Sequence, residues 1–161
     1  MIVLAMDLSL SSPAFAVIEH VKHEKPIILH LSSIKTNAKK SHGYRLFQIY
    51  NHLKDIYDEF EGRINFVVSE KGFSRHARTT QILYMVHGVA RVLSHMNGFE
   101  VEELSPTTVK AKVGGSGKAS KEQLADAVRG FFIEELSFKN DDESDAIAVG
   151  LCFLIDKGVL S

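Results

Sequence analysis

Four acidic side chains could form a metal site if the fold brings them together. Asp7 ends the first apolar run of the chain, and Glu70 ends a central one. Asp142 and Asp145 stand three residues apart at the start of the last apolar segment. A carboxylate at the end of a buried strand is desolvated and needs a positive partner. A divalent cation is one such partner, and Mg²⁺ prefers oxygen ligands.

Each acid also has an ordinary structural explanation. Asp7 could cap the turn after the first strand, and Glu70 could reach solvent. Acids in a first helical turn are common because they complement the helix dipole, which explains Asp141 and Glu143 best. A spacing of three, however, places Asp142 and Asp145 on one helical face. We therefore expect Asp145 to point toward the core.

Hydrophobic periodicity predicts an α/β domain with a mixed sheet. The predicted strands are Ile2–Met6, Ala14–Ile18, Ile27–Leu31, Ile64–Ser69 and Phe99–Leu104. The predicted helices are Gly43–Phe60, Thr79–Met96, a short one starting at Ser105-Pro106, one from a Ser120/Gln123 capping box to about Leu136, and Asp142–Leu154. We expect the apolar face of Thr79–Met96 to comprise Ile82, Met85, Val86, Val89, Ala90 and Leu93. That helix could serve as a dimer face or as part of the core.

Composition is typical of a single globular domain, 1–161. The chain has 161 residues, of which 45% are hydrophobic and 24% charged. No apolar run approaches the ~20 residues that span a bilayer. A lone Cys152 excludes an internal disulfide, and no Cys/His set has zinc-ligand spacing. With no signal peptide evident, the expected compartment is the cytoplasm.

The net charge of −1 conceals three stretches that contain basic residues and no acid. They are Lys35–Arg45, Lys71–Arg78 and Ser105–Lys121. Acids collect instead at Asp55–Glu61, Glu100–Glu103 and Glu134–Asp145. A basic face attracts phosphate, although each stretch taken singly could be a solvated loop.

These segments resemble, in order and spacing, the RuvC family of Holliday-junction resolvases. The matching stretches are Asp7, Glu70–Phe73, Ser105–Lys110, Gly114–Gln123 and Asp142–Val149, and they cover nearly the whole chain. Cellular members usually carry Pro-Gly after the first Asp. This chain has Leu8–Ser12 there, which is more like the phage-encoded branch.

The resemblance implies a ribonuclease-H-like fold with a mixed five-stranded sheet flanked by helices. It also implies a metal-dependent endonuclease that resolves four-way DNA junctions by paired phosphodiester nicks. Two Mg²⁺ ions per active site, with Mn²⁺ as a substitute, would be held by Asp7, Glu70, Asp142 and Asp145. Paired nicks imply a homodimer with two copies of the site.

Further residues take their roles from the same resemblance. Lys110 and Lys121 would lie beside the scissile phosphate, and Phe73 would insert at the junction centre, unless it folds back on the core. The expected DNA contacts are Lys71, Arg75, Arg78, Lys112 and Lys118. The Gly114–Lys118 segment is not a phosphate-binding loop, since Lys112 and Ala119 replace the required Gly and Ser/Thr. It would serve as a glycine hinge beside DNA.

Two other functions remain open at the level of sequence. A broader nuclease that cuts flaps, forks and replication branches would share every catalytic residue. A catalytically silent junction-binding module is the second alternative, although the intact acidic set argues against it.

Overall fold

A computed structural model describes residues 1–161 and contains five strands and five helices. In chain order they are β1 (Ile2–Asp7), β2 (Ala14–Glu19), β3 (Ile27–Ser33), α1 (His42–Glu59), β4 (Phe66–Glu70), α2 (Ala77–Met96), β5 (Val101–Leu104), α3 (Pro106–Gly114), α4 (Lys121–Gly130) and α5 (Asp141–Asp156). The sheet order is β3-β2-β1-β4-β5. β1, β2 and β3 pair antiparallel, whereas β4 is parallel to β1 and β5 is parallel to β4. The predicted mixed five-stranded sheet is confirmed.

The sheet is covered on both faces, which explains why β1 is apolar at every position but its last. Val3 and Ala5 pack in one cluster with α5, α3 and α4. Leu4 and Met6 pack in the other with α1 and α2. Alternating strand residues point to opposite faces, so two cores require an unbroken apolar run.

Helix α5 lies unusually close to the central strands. A methyl group added at Gly150 would be 2.6 Å from Ile18 Cδ1 and 3.1 Å from Ala5 Cβ. Small residues on β1 and β2 therefore let the helix approach the sheet. This close packing brings the start of α5 to the carboxyl end of β1.

Two helices differ in detail from their predictions. The helix expected to reach about Leu136 ends at Gly130, because glycine is a poor helix former. The apolar residues beyond it pack as a loop, in which the Arg129 guanidinium lies 4.9 Å from the Phe138 ring centre. On α2, the predicted apolar face is divided: Val86, Ala90 and Leu93 are buried, whereas Met85 at its margin is 45% exposed.

Candidate active site

Three of the four acidic residues converge at one end of the sheet. Asp7 is the last residue of β1, while Asp142 and Asp145 lie in the first turns of α5. Each can offer one carboxylate oxygen, and these oxygens all lie within 4.8 Å of one another. All three side chains are partly buried. The structure therefore brings together residues that are more than 130 positions apart in sequence.

Glu70 lies beside this group without joining it. It ends β4, which runs parallel to β1, with Met6 paired to Ser69. Glu70 and the three aspartates line one cavity of about 250 Å³, together with Lys110 and Lys121 among others. Larger clefts of about 830 and 510 Å³ lie around the β2–β3 hairpin and contain none of these acids.

The carboxylates are short of positive charge. Burial first, and then the neighbouring carboxylates, raise the pKa of Asp7 from 3.8 to about 8. Burial and the charge of Asp145 raise the pKa of Glu70 from 4.5 to about 7. Burial likewise raises the pKa of Asp145. A divalent cation would remove this shortage, and an all-oxygen donor set suits Mg²⁺ or Mn²⁺. The residues present thus fit a metal site.

Two lysines lie at the edge of the acidic group. Lys121 Nζ is 3.6 Å from Asp145 Oδ2. Burial tends to lower the pKa of Lys121, but the surrounding aspartates outweigh burial and raise it. This attraction explains why a cation is tolerated in the first turn of α4. Lys110 lines the cavity, and its positive charge offsets part of the rise that burial causes in the pKa of Glu70.

A buried carboxylate that the sequence pattern did not reveal anchors the start of α5. Glu143 is only 3% exposed, although its position suggested a residue that complements the helix dipole in solvent. Its Oε1 accepts a hydrogen bond from Ser33 Oγ at 2.9 Å, and its Oε2 accepts one from Lys139 N at 3.0 Å. Asn140 caps the helix by accepting from Glu143 N. Because Ser33 ends β3, these bonds fix α5 to the sheet edge next to Asp142.

The residues expected to contact DNA differ in exposure and in their ion pairs. Phe73 is 76% exposed, so the alternative that it folds into the core is wrong. Four of the expected contacts are exposed: Lys71 and Arg75 in the loop between β4 and α2, Arg78 in the first turn of α2, and Lys118 in the loop between α3 and α4. Lys112 differs, because it forms an ion pair with Asp156 at the far end of α5. That end is ~16 Å along the helix from Asp145, at 1.5 Å per residue.

The comparisons with known proteins agree with this geometry. Residues 3–153 match the family model described as crossover junction endodeoxyribonuclease RuvC. The protein of that name from Prochlorococcus marinus subsp. pastoris is 33% identical over 156 residues, covering 97% of this chain and 98% of the relative. This chain belongs to the RuvC family. A second relative, from Natranaerobius thermophilus, is 30% identical and is matched over 93% of its length.

Solved structures of resolvases share the fold. Thermus thermophilus RuvC in complex with Holliday junction substrate superimposes with a TM-score of 0.88 at 24% identity, covering 99% of this chain and 97% of the other. The yeast mitochondrial resolvase Ydc2 gives 0.62 at 15% identity, covering 91% and 75%. The expected ribonuclease-H-like fold is thus confirmed. None of the helices has the length and apolar character needed to cross a bilayer. The resemblance to the phage-encoded branch stays a prediction.

Proposed function

We propose that this RuvC-family protein is a metal-dependent endonuclease that resolves Holliday junctions by paired phosphodiester nicks. The observation that carries the proposal is the convergence of Asp7, Asp142 and Asp145 in a cavity that also contains lysine. In such a cavity the aspartates can bind a metal cation, and the lysine can contact a phosphate group of the substrate. The family membership supports the same conclusion.

The acidic residues would hold the metal. Asp7, Glu70, Asp142 and Asp145 supply enough carboxylate oxygens for two Mg²⁺ ions, with Mn²⁺ as a substitute. Bound ions of this kind activate a water and stabilise charge on the leaving oxygen. Lys121 stands 3.6 Å from Asp145 and can contact a phosphate oxygen as its negative charge grows. Lys110 extends the positive charge along the same cavity wall.

DNA binding would rest on the loop between β4 and α2. Phe73 presents an exposed ring that can stack on unpaired bases at a junction centre. Exposed cations would contact phosphates: Lys71, Arg75 and Arg78, which are close to Phe73 in sequence, and Lys118 from the glycine hinge. Lys112, the fifth expected contact, pairs with Asp156 and would have to leave that ion pair to contact a phosphate.

A homodimer follows from the need for two matched nicks. Helix α2 has a solvent-exposed apolar stripe, opposite the side that packs on the sheet. The stripe comprises Tyr84, Met85, Val92 and Met96. Gly88 lies among them with nothing within 4 Å of an added methyl group. A second copy of α2 could approach closely there.

The proposal extends to the domain organisation and the cellular compartment of the protein. The 161 residues would act as one nuclease domain, because both cores share a single sheet. The protein would work in the cytoplasm, of the host cell if it is phage-encoded, where its DNA substrate lies.

The deciding experiment compares cleavage of four-way, three-way and linear DNA of the same arm sequences in Mg²⁺. Preferential paired nicking of the four-way junction is expected, whereas equal cutting of all branched substrates would indicate a broader nuclease. Asp145→Asn should abolish cleavage, and the exposed neighbour Asp141→Asn is the matched control with a mild effect. Junction binding without cleavage by the unaltered protein would indicate the non-catalytic alternative.

A further inference from the structure

A serine in the loop between β1 and β2 contacts the acidic group directly. Ser12 Oγ donates a hydrogen bond of 2.7 Å to Asp142 Oδ2. Asp142 also contributes a carboxylate oxygen to the convergent group of three. Its carboxylate is therefore shared between a protein hydroxyl and the space where a cation would bind.

The loop that carries Ser12 is held in place by main-chain bonds. Thr36 N donates to Ser11 O at 2.9 Å, and Thr36 Oγ1 donates to Leu10 O at 2.6 Å. Ile34 N donates to Pro13 O at 3.2 Å. The carbonyl groups on both sides of Ser12 are thus bonded, which fixes the backbone position from which its hydroxyl reaches Asp142.

A buried guanidinium braces the same loop. Arg45 is 7% exposed, and no carboxylate pairs with it. Its Nε donates to Thr36 Oγ1 at 2.8 Å and its Nη2 to Ser11 Oγ at 3.3 Å. Burying a cation among neutral partners is costly. The contribution of Arg45 is therefore to the shape of the loop rather than to folding stability.

We propose that Ser12 is a positioning residue that orients Asp142 for metal binding, and that Arg45 and Thr36 maintain the loop that presents it. A hydrogen bond to a ligating carboxylate fixes its orientation, and loss of such a bond typically lowers metal affinity by about 10- to 100-fold. The inference deepens the proposed function, since it rests on a metal held by Asp142.

The test uses substitutions that separate the hydroxyl from the shape of the side chain. Ser12→Ala removes the bond. Ser12→Thr keeps a hydroxyl, and Ser12→Val has the shape of Thr without one. Ser137→Ala is the control for loss of a serine hydroxyl, because Ser137 is exposed and its side chain makes no hydrogen bond. Each variant is titrated with Mg²⁺ while its melting temperature is followed without DNA, and again while junction cleavage is followed.

We expect Ser12→Ala and Ser12→Val to raise the half-saturating Mg²⁺ concentration by about 10- to 100-fold, with cleavage restored at high Mg²⁺. Ser12→Thr and Ser137→Ala should stay near the unaltered protein, and junction affinity in EDTA should not change. Equal Mg²⁺ requirements for Ser12→Thr and Ser12→Val, or an equal shift for Ser137→Ala, would overturn the proposal. Since the melting titration needs no DNA, it tests Ser12 even if the protein cleaves no junction.

Discussion

At the scale of single residues, the acidic group is unfavourable for the folded protein without a cation. Asp7 and Glu70 hold protons near neutral pH that ordinary carboxyl groups would have released. The clustered carboxylates therefore lower the folding stability of the metal-free protein, and the same clustering allows them to bind a metal ion. Substitutions at these residues should therefore change folding stability as well as the cleavage rate.

Asp7→Asn should stabilise the metal-free protein at alkaline pH while abolishing cleavage. The folded-state pKa of Asp7 is about 8, against 3.8 for the ordinary group. The folded state then binds more protons than the unfolded state between these values, so stability falls as pH rises from about 4 to about 8. Melting temperatures in EDTA at pH 5, 6.5 and 8 should drop less for Asp7→Asn than for the unaltered protein.

Controls separate this effect from a general change in packing. Junction binding in EDTA should survive in Asp7→Asn, because exposed cations and not Asp7 supply affinity. Added Mg²⁺ should raise the melting temperature of the unaltered protein most at pH 8, where protons compete least. Parallel pH profiles for the two proteins would mean that Asp7 is not strongly protonated.

Lys121→Ala should lower the cleavage rate far more than junction affinity. Its proposed partner is charge that grows in the transition state, and such interactions act on turnover. We expect a loss on the order of 100-fold in single-turnover rate at saturating protein. The comparison variant is Lys118→Ala, which alters a lysine in the loop before α4. Weaker binding, restored cutting at high protein and a shallower salt dependence would assign Lys121 to backbone contact instead.

At the scale of elements, the loop between β4 and α2 is held close to helix α2. A methyl group added at Gly72 would lie 2.7 Å from His87 Nε2, a buried atom with no hydrogen-bond partner. Any larger residue at position 72 would have to displace the His87 ring. The next residue, Phe73, is directed into solvent on this close-packed base.

Phe73→Ala should reduce cleavage of four-way junctions selectively. Aromatic stacking contributes ~1–3 kcal/mol per base, and it is available only where bases are already unpaired or strained. Since the ring is exposed, the melting temperature should change little, in line with ±0.5 kcal/mol for surface substitutions. The measurement is the ratio of junction to flap cleavage, set beside thermal melting. An unchanged ratio would rule out the wedge.

At the scale of the whole molecule, the two faces of α2 have different roles. Val86, Ala90 and Leu93 are buried against the sheet, whereas the stripe on the other side has no partner within the chain. An isolated site can make one nick. Paired nicks would therefore depend on what covers that stripe.

Val92→Glu should convert a dimer to monomers. Burying an unpaired carboxylate costs about 3–5 kcal/mol, so the dimer dissociation constant should rise by roughly 100-fold or more. Ile133→Glu is the matched control, because Ile133 is an exposed apolar residue outside α2. Sedimentation velocity would measure assembly, and the yield of paired nicks would report function. A dimer that persists in Val92→Glu places the interface elsewhere.

Sequence by itself predicted the mixed sheet, most of the strand and helix pattern and the four candidate acids, because periodicity and strand-end carboxylates are local signals. The tertiary structure decided which residues meet. Ser12 contacts Asp142 across 130 positions, Glu143 is buried against Ser33, and Lys112 is paired with Asp156. Such contacts depend on how helices pack on the sheet, and no local pattern records the rotation of a helix or the path of a loop. The acidic residues were thus predictable, but the polar side chains that position them were not.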